Sequence, residues 1–365
     1  MAKKIWPVQS LWYLILILIS GNILTACAAA EPPLPTSSPM PAPKLENNTE
    51  ASSAPAYPAP GDAAPGYPAP DDAASGYPAP AETAKPESVE RTPPPSFPGK
   101  LAYHSEATGS LQIFTLNGTN GLVEQRLQTA SQAFEPSWSP DCQELTFSSG
   151  AGGNDFFKLY TVQSGNDSAE ILAAGSDFHY WAPAWSPTGE MIAYQNNEDQ
   201  LMNVCFVNPD GTELGCLARD SFSNAMPSWS PDGSKLLFTS NRDGDWEIFL
   251  TDYPPTGEVV QLTDNNGVDF YPRFSPDGSR IAFAAKRTSN YDIYTMNADG
   301  SDEIQLTSDI LDDTTPAWVG DDRIAFSSAR TEDWELYLMN ADGSELSRLT
   351  FQTGMDQHPT WCPSD

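Results

Sequence analysis

The stretch Pro227-Ser228-Trp229-Ser230-Pro231-Asp232-Gly233 is the fullest copy of a pattern that recurs six times in the last two thirds of this 365-residue chain. The central aromatic residues of the six copies stand 47, 44, 45, 44 and 43 residues apart. They are Trp138, Trp185, Trp229, Phe274, Trp318 and Trp361. A fixed period of this length is typical of repeat proteins, in which each unit buries its apolar surface against its neighbours. The spacing predicts a repeat domain over residues 99–365, with the six aromatic residues in its core.

Each repeat contains short apolar segments separated by turn residues. The pattern is followed by a strand such as Ile281-Ala282-Phe283, a polar turn, and a second strand such as Ile293-Tyr294 that leads into an Asp-Gly turn. β-Branched and aromatic residues favour strands, and Asp-Gly supplies the positive φ of tight hairpins. With the strand that carries the pattern and a last strand ending in Leu-Thr, each repeat has four strands. Because no helical period is sustained here, we expect an all-β, six-bladed β-propeller.

The two ends of the repeat domain complement each other. The first unit opens with the strand Leu101-Ala102-Tyr103 and has no aromatic motif before it, whereas a spare motif, Pro359-Thr360-Trp361, lies at the C-terminus. We therefore expect the C-terminal strand to join the first blade, which closes the ring and removes an open sheet edge. An open solenoid is the alternative, and it leaves both terminal units unfinished.

These motifs resemble a known family. The Pro-x-Trp-Ser-Pro-Asp-Gly turn, the Ile-Ala-Phe strand and the Ile-Tyr-x-Met-Asn-x-Asp-Gly hairpin are similar to the WD40-like PD40 repeats of TolB-type propellers. The resemblance implies a ring that binds other molecules and has no chemistry of its own. It departs from TolB at the N-terminus, where an α/β domain is replaced by a lipid signal and a linker.

Two enzyme classes carry similar propellers. Propellers that precede a prolyl-oligopeptidase-type domain need a G-x-S-x-G nucleophile elbow, which this chain lacks, so we expect no such activity. Metal-dependent pectate lyases keep histidines in the channel, and this chain has only His104, His179 and His358. His104 follows an apolar strand, so we expect it to be structural.

The N-terminus has the pattern of an export signal. Lys3 and Lys4 precede an apolar run over about residues 11–24, and small residues lead to Cys27. Leu24-Thr25-Ala26-Cys27 resembles a bacterial lipobox, which implies cleavage after residue 26 and a diacylglycerol on Cys27. We expect a propeller outside the cytoplasm, anchored by lipid to the outer face of the cell membrane or to the outer membrane. An uncleaved transmembrane anchor is the alternative.

Residues 27–98 differ in composition from the rest. Tyr-Pro-Ala-Pro recurs at Tyr57, Tyr67 and Tyr77 among Ala, Gly, Asp and Ser. Proline at this density blocks helices and sheets and favours extended polyproline II, about 3.1 Å per residue. We interpret the segment as a disordered spacer between anchor and ring; a docking site for a proline-binding domain is the alternative.

Charge and composition limit the partners. The formal net charge of -31 argues against nucleic acid and anionic membrane surfaces, so we expect membrane contact only through the lipid. We expect a monomeric ring that binds a protein or peptide, and a cell-wall glycan is the alternative partner. No cofactor is expected except Ca²⁺, for which carboxylates at the mouth of the ring are the candidate ligands.

Four cysteines remain besides Cys27. Cys205 and Cys216 flank the Asp210-Gly211 turn symmetrically, so a cross-strand disulfide is a candidate in an exported protein. Cys142 and Cys362 fall near the same end of blades 2 and 1, where a second disulfide would join the ring ends. No Cys-x-x-Cys or Cys/His cluster indicates zinc.

Candidate binding residues lie in the loops that enter the innermost strands. Asp269, Asp313 and Asp356 each stand three residues before a motif proline, and on one arc of the mouth they would hold Ca²⁺. The alternative is that each aspartate caps its own turn. A second set of aromatic and histidine side chains suits a sugar ring or an inserted peptide, with packing between blades as the alternative. These are Phe134, His179, Tyr180, Trp181, Phe270, Tyr271 and His358.

Taken together, the sequence predicts a lipid-anchored, non-catalytic binding or scaffolding propeller for a protein, peptide or envelope ligand. The alternative is a glycan-binding or lyase-like glycan-active protein that uses carboxylates and aromatic residues at the mouth of the ring. A third possibility is a structural surface protein whose ring acts only as a spacer.

Overall fold

The computed structural model describes residues 94–127, 131–150, 156–166, 168–173, 178–198, 201–217, 221–255, 258–331 and 333–363. These residues form 24 strands in six four-stranded antiparallel sheets and contain no α-helix. The predicted six-bladed, all-β propeller is therefore confirmed. No helix of these residues is long and apolar enough to cross a membrane. The predicted signal, Cys27 and most of the linker lie outside the described residues.

The blades follow the order of the chain. Blade 1 contains β1 (Lys100–Ser105), β2 (Gln112–Asn117), β3 (Val123–Gln125) and, as its innermost strand, β24 (Asp356–Cys362). Blade 2 contains β4 (Gln132–Trp138), β5 (Glu144–Gly150), β6 (Lys158–Gln163) and β7 (Glu170–Ala173). Blade 3 contains β8 (Tyr180–Trp185), β9 (Ile192–Asn196), β10 (Asn203–Val207) and β11 (Glu213–Cys216).

The second half of the ring repeats this arrangement. Blade 4 contains β12 (Asn224–Trp229), β13 (Lys235–Ser240), β14 (Glu247–Asp252) and β15 (Val260–Gln261). Blade 5 contains β16 (Val268–Phe274), β17 (Arg280–Lys286), β18 (Asp292–Asn297) and β19 (Ile304–Gln305). Blade 6 contains β20 (Asp313–Val319), β21 (Arg323–Ser328), β22 (Glu335–Asn340) and β23 (Ser347–Arg348).

The ring closes as predicted, between the C-terminal strand and the first blade. β24 pairs antiparallel with β1, so that Leu101 lies opposite Trp361 and Ser105 lies opposite Asp356. This pairing completes blade 1 and removes the edges that an open solenoid would leave.

The core lies between neighbouring blades. Apolar clusters join residues of adjacent blades, as where Leu237 and Ile248 of blade 4 pack with Phe283 and Met296 of blade 5. The second strand of every blade contributes one buried aromatic residue at the same position. These residues are Tyr103, Phe147, Tyr194, Phe238, Phe283 and Phe326. The apolar strands therefore fold into blades because stacking them buries both of their faces.

The ring has two distinct ends. The loop face is the end at which the innermost strands begin, and the turn face is the end at which they finish in Ser-Pro turns. In the turn after β12 the Ser230 hydroxyl donates to Asp232 Oδ1 (2.6 Å) and accepts from the Lys235 amide (2.9 Å). Gly233 adopts a φ of 72°, which favours glycine. The Ser-Pro motif is thus a local turn signal at the end of the innermost strands of blades 2 to 5.

Both candidate cysteine pairs are joined in the structure. Cys205 and Cys216 lie opposite each other on β10 and β11 and form a disulfide. Cys142, in the turn after β4, is bonded to Cys362 at the end of β24, with their Cα atoms 5.9 Å apart. The second bond connects blade 2 to the strand that closes blade 1.

Candidate functional site

A cavity of about 320 Å³ occupies the turn-face half of the ring centre. All six blades contribute to its wall, which extends from the middle of the innermost strands to the Ser-Pro turns. Motif prolines and the residues Trp138, Trp185, Trp229 and Trp361 contribute to this wall. Its volume lies at the lower end of the range of ligand sites in proteins.

The deepest ring of the wall is built by one bulge in each innermost strand. The strand register shifts at the residue before each motif proline, and that residue adopts a φ between 50° and 56°. The six residues are Glu135, Ala182, Met226, Tyr271, Thr315 and His358, and all of them line the cavity. This left-handed conformation is strained for residues other than glycine. The fold maintains it because the surrounding blades hold the bulge in place.

Side chains of the preceding blade accept hydrogen bonds from four of the bulge amides, those of Glu135, Ala182, Met226 and His358. The Glu135 amide donates to His104 Nδ1 (3.2 Å), and the Ala182 amide donates to the Glu135 carboxylate (2.7 Å). The Met226 amide donates to Gln195 Oε1 (2.9 Å). The His358 amide donates to the Ser327 hydroxyl (3.2 Å), which connects blade 1 to blade 6 in the same way. These bonds link neighbouring blades at the cavity wall and keep it pre-organised.

Two histidines meet at this wall. The rings of His104 and His358 stack with their centroids 4.9 Å apart, and Tyr271 contacts His358 edge-on at 5.4 Å. Burial lowers the pKa of His104 to about 4. Burial, followed by the charges of His104 and Arg273, holds the pKa of His358 well below its usual range. Both imidazoles are therefore neutral near pH 7 and serve as hydrogen-bonding and stacking groups. The expectation that His104 is structural agrees with this placement.

Among the described lining residues, Arg273 is the only lysine or arginine. It occupies a motif position at which the other blades carry serine, alanine or threonine, and one of its nitrogens donates to the Pro272 carbonyl (3.1 Å). In a chain of net charge -31, its guanidinium gives the cavity a local positive site.

The predicted aromatic and histidine residues divide into two groups. Tyr271 and His358 line the cavity. Phe134, Tyr180, Trp181 and Phe270 are buried on the loop-face side and do not line it. Phe134 packs edge-on against Phe157 (4.9 Å), and Tyr180 stacks on Tyr194 (5.4 Å). Their placement corresponds to the packing alternative.

His179 also lies outside the cavity. Its Nδ1 accepts the Phe157 amide (3.1 Å), and its own amide donates to Asn197 (2.8 Å). These two hydrogen bonds stabilise the loop that enters β8, so His179 has a structural role there.

The three predicted calcium ligands do not form a shared site. Among the described residues, no three or more His, Cys, Asp or Glu side chains are grouped to hold a metal ion. Asp269 is buried in an ion pair with Arg287, and Asp313 is buried 2.7 Å from an Arg330 nitrogen. The three aspartates lie in the first two residues of three separate innermost strands, so each belongs to its own blade. Asp356 is buried as well, but no ion pair between it and an arginine is present among the described residues.

The bulge residues as a set were not predicted, although a signal for them exists. Each directly precedes a motif proline, a position that stands out only when the repeats are aligned. Their chemistry differs from blade to blade, so composition gives no indication that they face a common cavity. Glu135, Ala182, Met226 and Thr315 were missed for this reason.

Comparison with known proteins agrees with this architecture. The model of the TolB β-propeller domain family matches residues 92–245 and 247–365. No curated protein sequence matches the chain.

Solved structures share the fold at low sequence identity. TolB from Acinetobacter baumannii is 20% identical with a TM-score of 0.64, covering 73% of this chain and 67% of its own. A protein assigned as TolB from Agrobacterium tumefaciens is 23% identical with a TM-score of 0.57, covering 72% and 92%. A chain of the nidogen/laminin complex is 12% identical with a TM-score of 0.59, covering 73% and 99%. Because the family model matches well over half of its residues, this chain belongs to the TolB β-propeller domain family.

Proposed function

We propose that this protein is a non-catalytic binding module whose turn-face cavity receives a short segment of a protein or peptide partner. The observation that supports this is the cavity of about 320 Å³, walled by proline and tryptophan with Arg273 as its cation. Apolar walls with a few polar groups are typical of binding sites. A ring of similar shape occurs in the nidogen/laminin complex, which is an assembly of proteins.

The state of the polar groups in the wall supports binding rather than catalysis. The Glu135 carboxylate accepts the Ala182 amide, and His104 accepts the Glu135 amide. Both bonds hold the bulges in place. The two stacked histidines have low pKa values, so they are weak bases near pH 7.

We also propose that the ring is held outside the cytoplasm by a lipid on Cys27. The lipobox-like pattern supports this, and the two disulfides suit an oxidising compartment. The Trp361 indole donates to the Pro98 carbonyl (2.8 Å) and Arg323 donates to the Ser96 carbonyl (2.9 Å), so residues 96–98 lie at the turn face. Replacing Cys27 with alanine is expected to release the protein from the membrane fraction.

The binding proposal is tested by capture from the native cell envelope with the full chain as bait. The wild type is expected to retain one protein in near-equal amount. Arg273→Glu, which reverses the charge on the cavity wall, is expected to lose it. Lys158→Glu makes the same charge change on the loop face at the start of β6 and is expected to retain it. Equal capture by both variants would contradict binding through the cavity.

A glycan ligand is the second candidate, because four tryptophans line the cavity and indoles stack well on sugar rings. The carboxylates and most of the aromatic residues first considered for this role are buried outside the cavity. Retention of polysaccharide in place of a protein in the same capture, lost with Arg273→Glu, would favour this candidate.

A further inference from the structure

One repeated ion pair is incomplete in blade 1. In blades 5 and 6, an aspartate at the start of the innermost strand pairs with an arginine that follows the second strand: Asp269 with Arg287 and Asp313 with Arg330. Blade 4 has the neutral version, in which Arg242 donates to Asn224 Oδ1 (2.9 Å). A guanidinium therefore occupies the same place in three consecutive blades.

The strand register identifies the equivalent position in blade 1. Asp313 lies opposite Ser328, and Arg330 follows two residues later. Asp356 lies opposite Ser105, and the residue two positions later is Ala107. Blade 1 thus keeps the aspartate and has alanine in place of the arginine.

Asp356 is fully buried, and neither of its carboxylate oxygens has a hydrogen bond of ordinary length among the described residues. The Ser105 and Thr350 hydroxyls are its polar neighbours. Arg348 lies nearby, but it pairs with the neighbouring buried carboxylate of Glu335. Burial of a charge without a paired group is strongly unfavourable. A cation beside Asp356 would offset this cost.

A second buried polar atom lies on the same side of the blade. Tyr103 and Ser105 alternate on β1, so both share the face of Asp356 across the β1–β24 pair. The Tyr103 hydroxyl is buried and also lacks a partner in the described structure. In blade 6 the equivalent residue is Phe326, which has no hydroxyl and lies 5.6 Å from the Arg330 guanidinium. Tyr103 thus places a hydroxyl oxygen next to the position that a guanidinium occupies in that blade.

We propose that a hard cation, Ca²⁺ or Na⁺, binds between blades 1 and 6 in place of the missing arginine. Asp356 supplies a carboxylate, and the Tyr103, Ser105 and Thr350 hydroxyls supply oxygen atoms from the surrounding strands. Oxygen donors with a carboxylate select hard cations over zinc or copper. The cation neutralises Asp356 and ties the closing strand β24 to the ring.

Thermal unfolding of the full chain in choline chloride tests this site, with CaCl₂ or NaCl added at constant ionic strength. A bound ion stabilises the folded state, so we expect the midpoint to rise by on the order of 5 °C with at least one of the two salts. Asp356→Asn removes the ligand and is expected to abolish the rise. Ala107→Arg supplies the missing guanidinium, so it is expected to raise the midpoint without added ion and to remove the response.

Asp321→Asn is the matched control, because it removes one exposed carboxylate and is expected to keep the ion response. If neither salt raises the unfolding midpoint of the wild type, the proposal is overturned. Water or a proton, and not a cation, would then accompany Asp356. An ion response that persists in both Asp356→Asn and Ala107→Arg would also overturn it, since the ions would then act elsewhere.

Discussion

At the scale of single residues, Trp229 and Trp318 each combine apolar burial with one directed hydrogen bond. Trp229 is 8% exposed, packs against Phe206 and Tyr253, and donates its indole N–H to the Ala184 carbonyl of the preceding blade (3.0 Å). Trp318 makes the same bond to Arg273 (3.0 Å). The tryptophan therefore both fills the space between blades and sets their spacing at the cavity wall.

Replacing this tryptophan separates the two contributions. Trp229→Ala is expected to lower the free energy of unfolding by about 3–5 kcal/mol, because it leaves a cavity between blades 3 and 4. Trp229→Phe keeps most of the packing and loses only the hydrogen bond, which is worth about 1 kcal/mol. Urea unfolding measures both. Equal losses in the two variants would show that packing at this position is not what stabilises the blades.

At the scale of strands and turns, the blades were predictable because their signals are local. Ser-Pro-Asp-Gly encodes a turn through the hydroxyl and carboxylate bonds around Ser230 and Asp232, and strand periodicity follows from the residues between such turns. Which face of the ring carries the cavity was not predictable. The answer depends on whether loop-face side chains such as Trp181 and Phe270 point into the core or into the channel, and aromatic residues are found in both places. The missing arginine partner of Asp356 could be recognised only from the strand register, which places Ser105 opposite Asp356 and so puts Ala107 at the arginine position.

At the junction between blades 5 and 6, one buried carboxyl group makes the free energy of unfolding depend on pH. Asp292, at the start of β18, accepts from Gln305 (3.0 Å) and Thr307 (3.4 Å), but burial, assisted by the charge of Asp313, raises its pKa to about 6. An unfolded aspartate titrates near pH 4. Between these values the folded state holds a proton that the unfolded state has lost. The contribution of Asp292 to the free energy of unfolding therefore falls as the pH rises from about 4 to 6.

The variant Asp292→Asn tests this dependence. It cannot lose a proton, so its free energy of unfolding is expected to fall less than that of the wild type between pH 4 and pH 6. Urea unfolding at both pH values gives the comparison, and the exposed Asp321→Asn should follow the wild type. A constant difference between wild type and Asp292→Asn at the two pH values would contradict the raised pKa.

At the scale of the whole molecule, closure of the ring depends on residues far apart in the chain. The Cys142–Cys362 disulfide spans 220 residues, whereas Cys205–Cys216 spans only 11 within one hairpin. In the chain-entropy model, closing the longer loop stabilises by about 5 kcal/mol and closing the shorter one by about 3 kcal/mol. The double variant Cys142→Ala/Cys362→Ala is therefore expected to lose more stability in urea than Cys205→Ala/Cys216→Ala. The opposite order would show that the closing strand is held without help from its disulfide.

The central claim is that the ring binds a partner through the cavity on its turn face. Site-specific photocrosslinking in the native envelope tests it most directly, with a photoreactive residue at Pro363 or at Ile310. Pro363 is exposed at the cavity rim, and Ile310 is 87% exposed in the loop that enters β20 on the loop face. We predict a single protein adduct from Pro363 and none from Ile310. An adduct from Ile310 with none from Pro363 would contradict the claim and place the binding surface on the loop face.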